Sequence, residues 1–82
     1  MTAAAGEVTL VLHAHLARYA EGRSRVALPH RDGAGLSEYL RLLGIPPHEY
    51  FAVVRNGVVS TDLDAVLAAG EVVELLPAIS GG

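Results

Sequence analysis

The sequence predicts an α+β domain of two layers, a mixed sheet of four to five short strands with one main helix packed on one face. Three observations carry this. Leu36 to Leu43 has the clearest helical apolar spacing. Several short runs rich in Val and Leu have strand character. No repeat or linker divides the 82 residues, 51% of them hydrophobic, so they build one core.

Residues 1–6 hold neither a basic residue nor a long apolar stretch. They read as a short disordered lead-in rather than a secretory signal. Val8 to Leu12 is a buried strand, and Arg25 to Pro29 is a second. The connection from His13 to Arg23 is too long for a tight hairpin and has room for a helical turn at Ala17 to Ala20. Pro29 closes the second strand because it has no ladder donor.

Leu36, Tyr39, Leu40 and Leu43 stand at i, i+3, i+4 and i+7, one apolar helical stripe. Gly35 is an acceptable N-cap, Glu38 favours the helix start, and Gly44 suits the C-terminal cap before Pro46-Pro47. Phe51 to Arg55 is a third strand, returned by the type I′ pair Asn56-Gly57 into Val58 to Ser60. Thr61 to Ala69 reads as a helical turn across an end of the sheet, with Asp62 and Asp64 at its start.

Val72 to Leu76 is the last strand. It and Val8 to Leu12 are the most continuously apolar runs, so they are expected side by side and parallel in the middle of the sheet. The expected core is Val8, Leu10, Leu12, Leu36, Leu40, Leu43, Val73 and Leu75, with Tyr39 beside them. Alternation turns Val11, Val72, Glu74 and Leu76 to the opposite, open face. An exposed apolar surface of that kind marks a partner site. Alternation leaves the facing of residues 51–55 open.

Composition removes several functions. Without cysteine there is no disulfide, thiolate metal site or cysteine nucleophile. Without lysine there is no side-chain amine for a Schiff base or an isopeptide bond. A net charge of −3, with the Arg residues scattered, argues against nucleic acid. No apolar run approaches the roughly 20 residues of a membrane span, and the expected compartment is the cytoplasm. His13, His15, His30 and His48 lack the spacing of a zinc site, so no metal is expected. Asp32-Gly33-Ala34-Gly35 lacks the lysine and hydroxyl of a phosphate-binding loop.

The ending is the most specific feature. Ser80, Gly81 and Gly82 follow the last strand and Pro77. With Gly near 7% of residues, two terminal glycines arise by chance in about one chain in two hundred. A tail without side chains is thin enough to thread a channel and present its carboxylate to another protein. The alternative reading is a frayed, solubilising end.

A sheet with one helix that ends in a strand and then Gly-Gly resembles the ubiquitin-like β-grasp, and more closely the MoaD/ThiS family of sulfur carriers. Residues 75–82, Leu-Leu-Pro-Ala-Ile-Ser-Gly-Gly, resemble the tail of the small subunit of molybdopterin synthase. Leu43-Gly44-Ile45-Pro46 resembles the family's helix exit, and Val54-Arg55-Asn56-Gly57 its central hairpin. There are departures. Ala69-Gly70-Glu71 stands where members often carry Asp-Gly-Asp, and Gly35 stands where many have a Thr cap. The Asn56-Gly57 hairpin looks more like the thiamin-pathway carriers.

The resemblance implies a single β-grasp domain over residues 1–76 and a flexible tail over 77–82. It implies that the chain is a protein cosubstrate rather than an enzyme and binds no cofactor itself. A ubiquitin-activating-type adenylating enzyme would use ATP and magnesium to adenylate Gly82. A persulfide sulfur donor would then leave a thiocarboxylate there, for delivery to a sulfur-accepting synthase subunit. Molybdopterin is the acceptor that the tail resembles most. Thiamin thiazole, another sulfur-containing metabolite, a protein-modifier role and a non-covalent interaction module are the alternatives. Gly81 would give steric access, and Val11, Val72, Leu76, Pro77, Ala78, Ile79 and Ser80 would meet partners. The five residues after Pro77 reach at most roughly 17 Å.

Overall fold

The computed structural model describes residues 6–78. The lead-in through Ala5 and the tail residues Ile79, Ser80, Gly81 and Gly82 lie outside the described residues. Gly6, the last residue of the expected lead-in, takes part in the fold: its carbonyl accepts the His30 N–H at 2.7 Å.

Five strands form one sheet: β1 (Glu7–Leu12), β2 (Arg25–Pro29), β3 (Tyr50–Arg55), β4 (Val58–Ser60) and β5 (Val72–Pro77). Their spatial order is β2-β1-β5-β3-β4. β5 lies in the middle, parallel to β1 and antiparallel to β3, and the outer pairs are antiparallel. The helix α1 (Leu36–Leu43) covers one face. This is the β-grasp arrangement, and the apolar continuity of its two central strands is what selects their places.

The core forms between α1 and the inner sheet face. Val8, Leu10, Leu12, Leu36, Tyr39, Leu40, Val73 and Leu75 are almost wholly buried, joined by Leu16, Ile45, Val53 and Leu67. Each buried Leu or Val contributes about 1.5–3 kcal/mol. Leu43, expected among them, is only half-buried, because it ends the helix stripe at the core's rim. The Tyr39 hydroxyl accepts the Arg31 N–H at 2.8 Å, so its burial leaves no polar atom without a partner.

Gly35 owes its place to space rather than to backbone freedom. Its φ of −83° suits any residue, but a Cβ there would stand 2.6 Å from the Asp64 carbonyl oxygen. That approach lets the chain at 63–65 cap the helix, with Ala65 O accepting from Leu36 N and Leu63 O from Ser37 N. At the other end Gly44, with φ 77°, and Ile45 donate back to Arg41 and Leu40, a Schellman closure.

The expected helical turn over Thr61 to Ala69 is absent. The segment is irregular, apart from an isolated bridge between Val66 and Gly35. The carbonyls of Leu63 and Ala65 serve α1, the Leu67 N–H donates to the Ala34 carbonyl, and Asp62 Oδ1 accepts the Asp64 N–H. No backbone ladder is left for a helix. Asp62 and Asp64 therefore do not sit at a helix start. Conversely, the short turn expected at Ala17 to Ala20 is a longer 3₁₀ segment, Ala14–Ala20, that buries Leu16 and Ala20.

Candidate functional site

The sheet face opposite α1 is open. On β5 the buried residues Val73 and Leu75 alternate with Val72, Glu74 and Leu76, so these three face outward. Val11 pairs with Glu74 across the parallel β1–β5 ladder and shares that face. All three apolar residues expected on the outer face, Val11, Val72 and Leu76, thus lie there.

The pairing of β3 resolves residues 51–55. Ala52 lies opposite Leu76, Val53 opposite Leu75 and Val54 opposite Glu74. Residues directly opposite share a face, so Ala52 and Val54 lie on the outer face, where Ala52 is nonetheless fully buried, while Val53 enters the core. The register slips between Tyr50 and Ala52, which makes Phe51 the extra residue of a β-bulge and leaves it about half exposed at 51%. The β3–β4 hairpin then sets Val59 opposite Val54. Asn56 and Gly57 both have positive φ, 53° and 78°, as a type I′ turn requires. A row Val11–Glu74–Val54–Val59 therefore crosses the outer face, with Val72 and Leu76 to either side along β5. The two-residue turn fixes the pairing of Val54 with Val59 but not the face they share, and the bulge at Phe51 has no sequence signal.

Glu74 is the charge in this apolar row. Its Oε1 lies 2.8 Å from His13 Nε2, and both side chains are nearly half exposed. The pair is thus available to a partner at the surface rather than locked inside.

The tail leaves from the central strand. Pro77 belongs to β5, opposite Tyr50, and the Ala78 N–H donates to the Glu49 carbonyl at 2.9 Å. Both residues, expected in the tail, are thus fastened to the sheet. Glu49 belongs to the 3₁₀ segment Pro47–Glu49 and is itself held: Tyr19 Oη donates to its Oε2 at 2.7 Å, and Arg18 donates to the same oxygen. His15 Nε2 stands 3.7 Å from Oε1. The Tyr19 hydroxyl and then the Arg18 guanidinium hold the Glu49 carboxyl below the usual carboxylate range. A cavity of about 330 Å³ opens on the helix side beside the same root, lined by Arg41, Ile45, Pro46, Pro47 and Tyr50. Burial, and then the charge of Asp64, push the Tyr50 phenol up and keep it neutral.

The histidines are dispersed. His13 pairs with Glu74, while His30 Nε2 meets the Leu67 carbonyl at 2.9 Å. Among the described residues no group of three or more His, Asp or Glu side chains could hold a metal ion. Among them also no helix is long and apolar enough to cross a membrane. The expected site residues Ile79, Ser80, Gly81 and Gly82 lie outside the described residues.

Comparison with known proteins joins these features. The family model described as the ThiS family matches residues 11–82, nearly the whole chain and its ending included. The crystal structure of SAMP1 from Haloferax volcanii, a ubiquitin-like small archaeal modifier protein, is similar with a TM-score of 0.68 and 28% identity, over 94% of this chain and 100% of that one. The solution structure of the Haloferax volcanii HVO 2177 protein shares the fold with a TM-score of 0.72 at 22% identity, over 93% of this chain and 86% of that one. No curated protein matches the sequence.

Proposed function

The chain belongs to the ThiS family, and from that premise we propose that it is a sulfur carrier whose working group is the carboxylate of Gly82. The observation that carries the reading is the position of β5. It is the central strand, it feeds directly into the Gly-Gly ending, and its outward residues help form an open apolar face. One strand therefore joins a docking surface to a chain end.

A carboxylate resists nucleophilic attack because its charge opposes the incoming electrons. In the proposed sequence an adenylating partner binds ATP and magnesium. A Gly82 carboxylate oxygen attacks the α-phosphorus, pyrophosphate leaves, and an acyl-adenylate forms. The terminal sulfur of a persulfide donor then attacks the Gly82 carbonyl and expels AMP. A thiol cleaves the resulting acyl disulfide, takes the donor's sulfur into a mixed disulfide and leaves the thiocarboxylate. The chain itself supplies docking, reach and an unhindered end. Gly81 keeps that end thin, and Ile79 and Ser80 span the distance to the partner's reacting atoms.

The acceptor we propose is molybdopterin on a synthase subunit, supported by residues 75–82. The Asn56-Gly57 hairpin supports a thiazole acceptor on the same chemistry. A protein-modifier role is favoured by the likeness to SAMP1. A cytoplasmic location is part of the proposal, supported by the demand of the proposed reactions for ATP.

The experiment is intact-mass analysis after incubation with the cognate adenylating enzyme, ATP, magnesium and a persulfide donor. Exchange of one oxygen for sulfur at Gly82 supports the carrier. Gly82-linked adducts with other proteins and no such exchange would favour the modifier. An unchanged mass would count against both.

A further inference from the structure

We propose that Tyr19, Arg18 and Glu49 form a positioning clamp that fixes the point and direction from which the tail leaves the domain. The inference rests on the carrier reading and adds residues to it that the tail sequence does not indicate.

Pro77 has no N–H to give, so the Ala78 amide is the donor that fastens the end of β5 onto the chain before β3. Its acceptor, the Glu49 carbonyl, lies in a single short turn, Pro47–Glu49, which begins at the second residue of the proline pair. The Glu49 side chain supports this turn. Its Oε2 accepts from the Tyr19 hydroxyl at 2.7 Å and from Arg18, and only 14% of the side chain is exposed. Arg18 also lies over the Tyr19 ring, 5.2 Å from its centre. Both donors belong to the 3₁₀ segment Ala14–Ala20, which is pinned to the core by Leu16 and Ala20. A rigid path therefore runs from the core through Tyr19 and Glu49 to the amide of Ala78.

Four residues, Ile79 to Gly82, follow that anchor. Four residues reach at most about 14 Å. Without the clamp the last fastened position among the described residues retreats to Pro77, opposite Tyr50 on β3. The reactive carboxylate then samples a larger volume at the end of a longer tether. Because a 1 Å misplacement can cost about a hundredfold in rate, partial loosening of the root is expected to cost roughly tenfold. Docking through the open sheet face is untouched, since none of the three residues lies on it.

The test uses the full chain carrying Arg18→Gln and Tyr19→Phe together, with Arg18→Lys as the conservative variant. Exchange of labelled pyrophosphate into ATP by the cognate adenylating enzyme gives kcat and KM for the carrier. Amide hydrogen exchange by NMR reads the anchor directly. The clamp predicts a roughly tenfold lower kcat at unchanged KM in the double variant. It also predicts faster exchange at Ala78, with Val73 and Leu75 still protected, and near-normal values for Arg18→Lys. Normal kcat, an undisturbed Ala78 amide, or a raised KM at constant kcat would each overturn it. Loss of protection at Val73 and Leu75 would also overturn it, by making the contact merely structural. If the unaltered chain supports no pyrophosphate exchange, the carrier reading fails, and the Ala78 amide alone decides whether the anchor exists.

Discussion

Val54 lies directly opposite Glu74 across the β3–β5 pair, with Val11 on the other side of Glu74. A carboxylate is thereby set between two valines on the one broad sheet face that the helix leaves open. His13 reaches its Oε1 from the end of β1. A partner that covers this face meets apolar area together with one charge that is already paired.

Placing a charge in this row is expected to weaken docking without unfolding the domain. Leu76→Asp and Val54→Asp should each lower affinity for the adenylating enzyme about tenfold or more, the range of an interface residue that matters. Both side chains are partly exposed on the outer face, so thermal stability should change little. Calorimetric titration beside a melting curve checks this. Unchanged affinity in both variants would remove the face from the docking account.

Much of the fold was legible because its signals are local. Leu36 to Leu43 carries helical spacing and ends at Gly44, and the observed helix has the expected bounds. Asn56-Gly57 fixed the hairpin, and the two apolar runs fixed the central parallel pair. The failures share a cause. Thr61 to Ala69 has helix-compatible residues, but its carbonyls are claimed by the start of α1 from far along the chain. Phe51 is displaced by a bulge that alternation does not encode. Glu49 holds Ala78 through a contact across 29 residues, with Tyr19 a further 30 residues back. Long-range partnership of this kind leaves no pattern in the sequence.

Gly35 offers a direct test of the cap. A Cβ there would stand 2.6 Å from Asp64 O and 3.1 Å from the carbonyl carbon, both backbone atoms that move only with the chain. Gly35→Ala should therefore destabilise the domain by about 1–3 kcal/mol, as overpacking does. The N-cap preference for Gly over Ala acts in the same direction. Urea unfolding decides, and a variant as stable as the parent would mean that the 63–65 segment yields freely.

Stability should also carry the signature of a paired carboxylate. Arg55 Nε donates to Glu71 Oε2 at 2.6 Å, and the Ala68 N–H donates to Oε1 at 2.9 Å. Burial works to raise the Glu71 pKa, but Arg55 and the Ala68 amide outweigh it, and the net position is below the usual carboxylate value. The folded pKa thus lies under the unfolded one, near 4.3. The stabilisation is fully present above that value and is lost as pH falls through the folded pKa. The urea midpoint should therefore fall on acidification below about pH 5, and less steeply in Glu71→Gln. Equal slopes in the two proteins would remove Glu71 from the acid response.

Gly81 separates steric access from folding. Gly81→Leu lies three residues beyond the Ala78 amide that joins β5 to Glu49, so the melting temperature should be unchanged. The added side chain should nonetheless block adenylation or transfer by widening the tail. Pyrophosphate exchange at the parent rate would show that the partner's channel accommodates side chains there.

The central claim is that the chemistry occurs at the carboxylate of Gly82. The most direct measurement is the mass of the chain end after incubation with the adenylating enzyme, ATP, magnesium and persulfide donor. It is made on the parent, on a chain lacking Gly82 and on a chain extended by one residue. The account predicts one oxygen-to-sulfur exchange on Gly82 of the parent and none on the other two, with all three melting alike. Normal sulfur uptake by the shortened or the extended chain would contradict it.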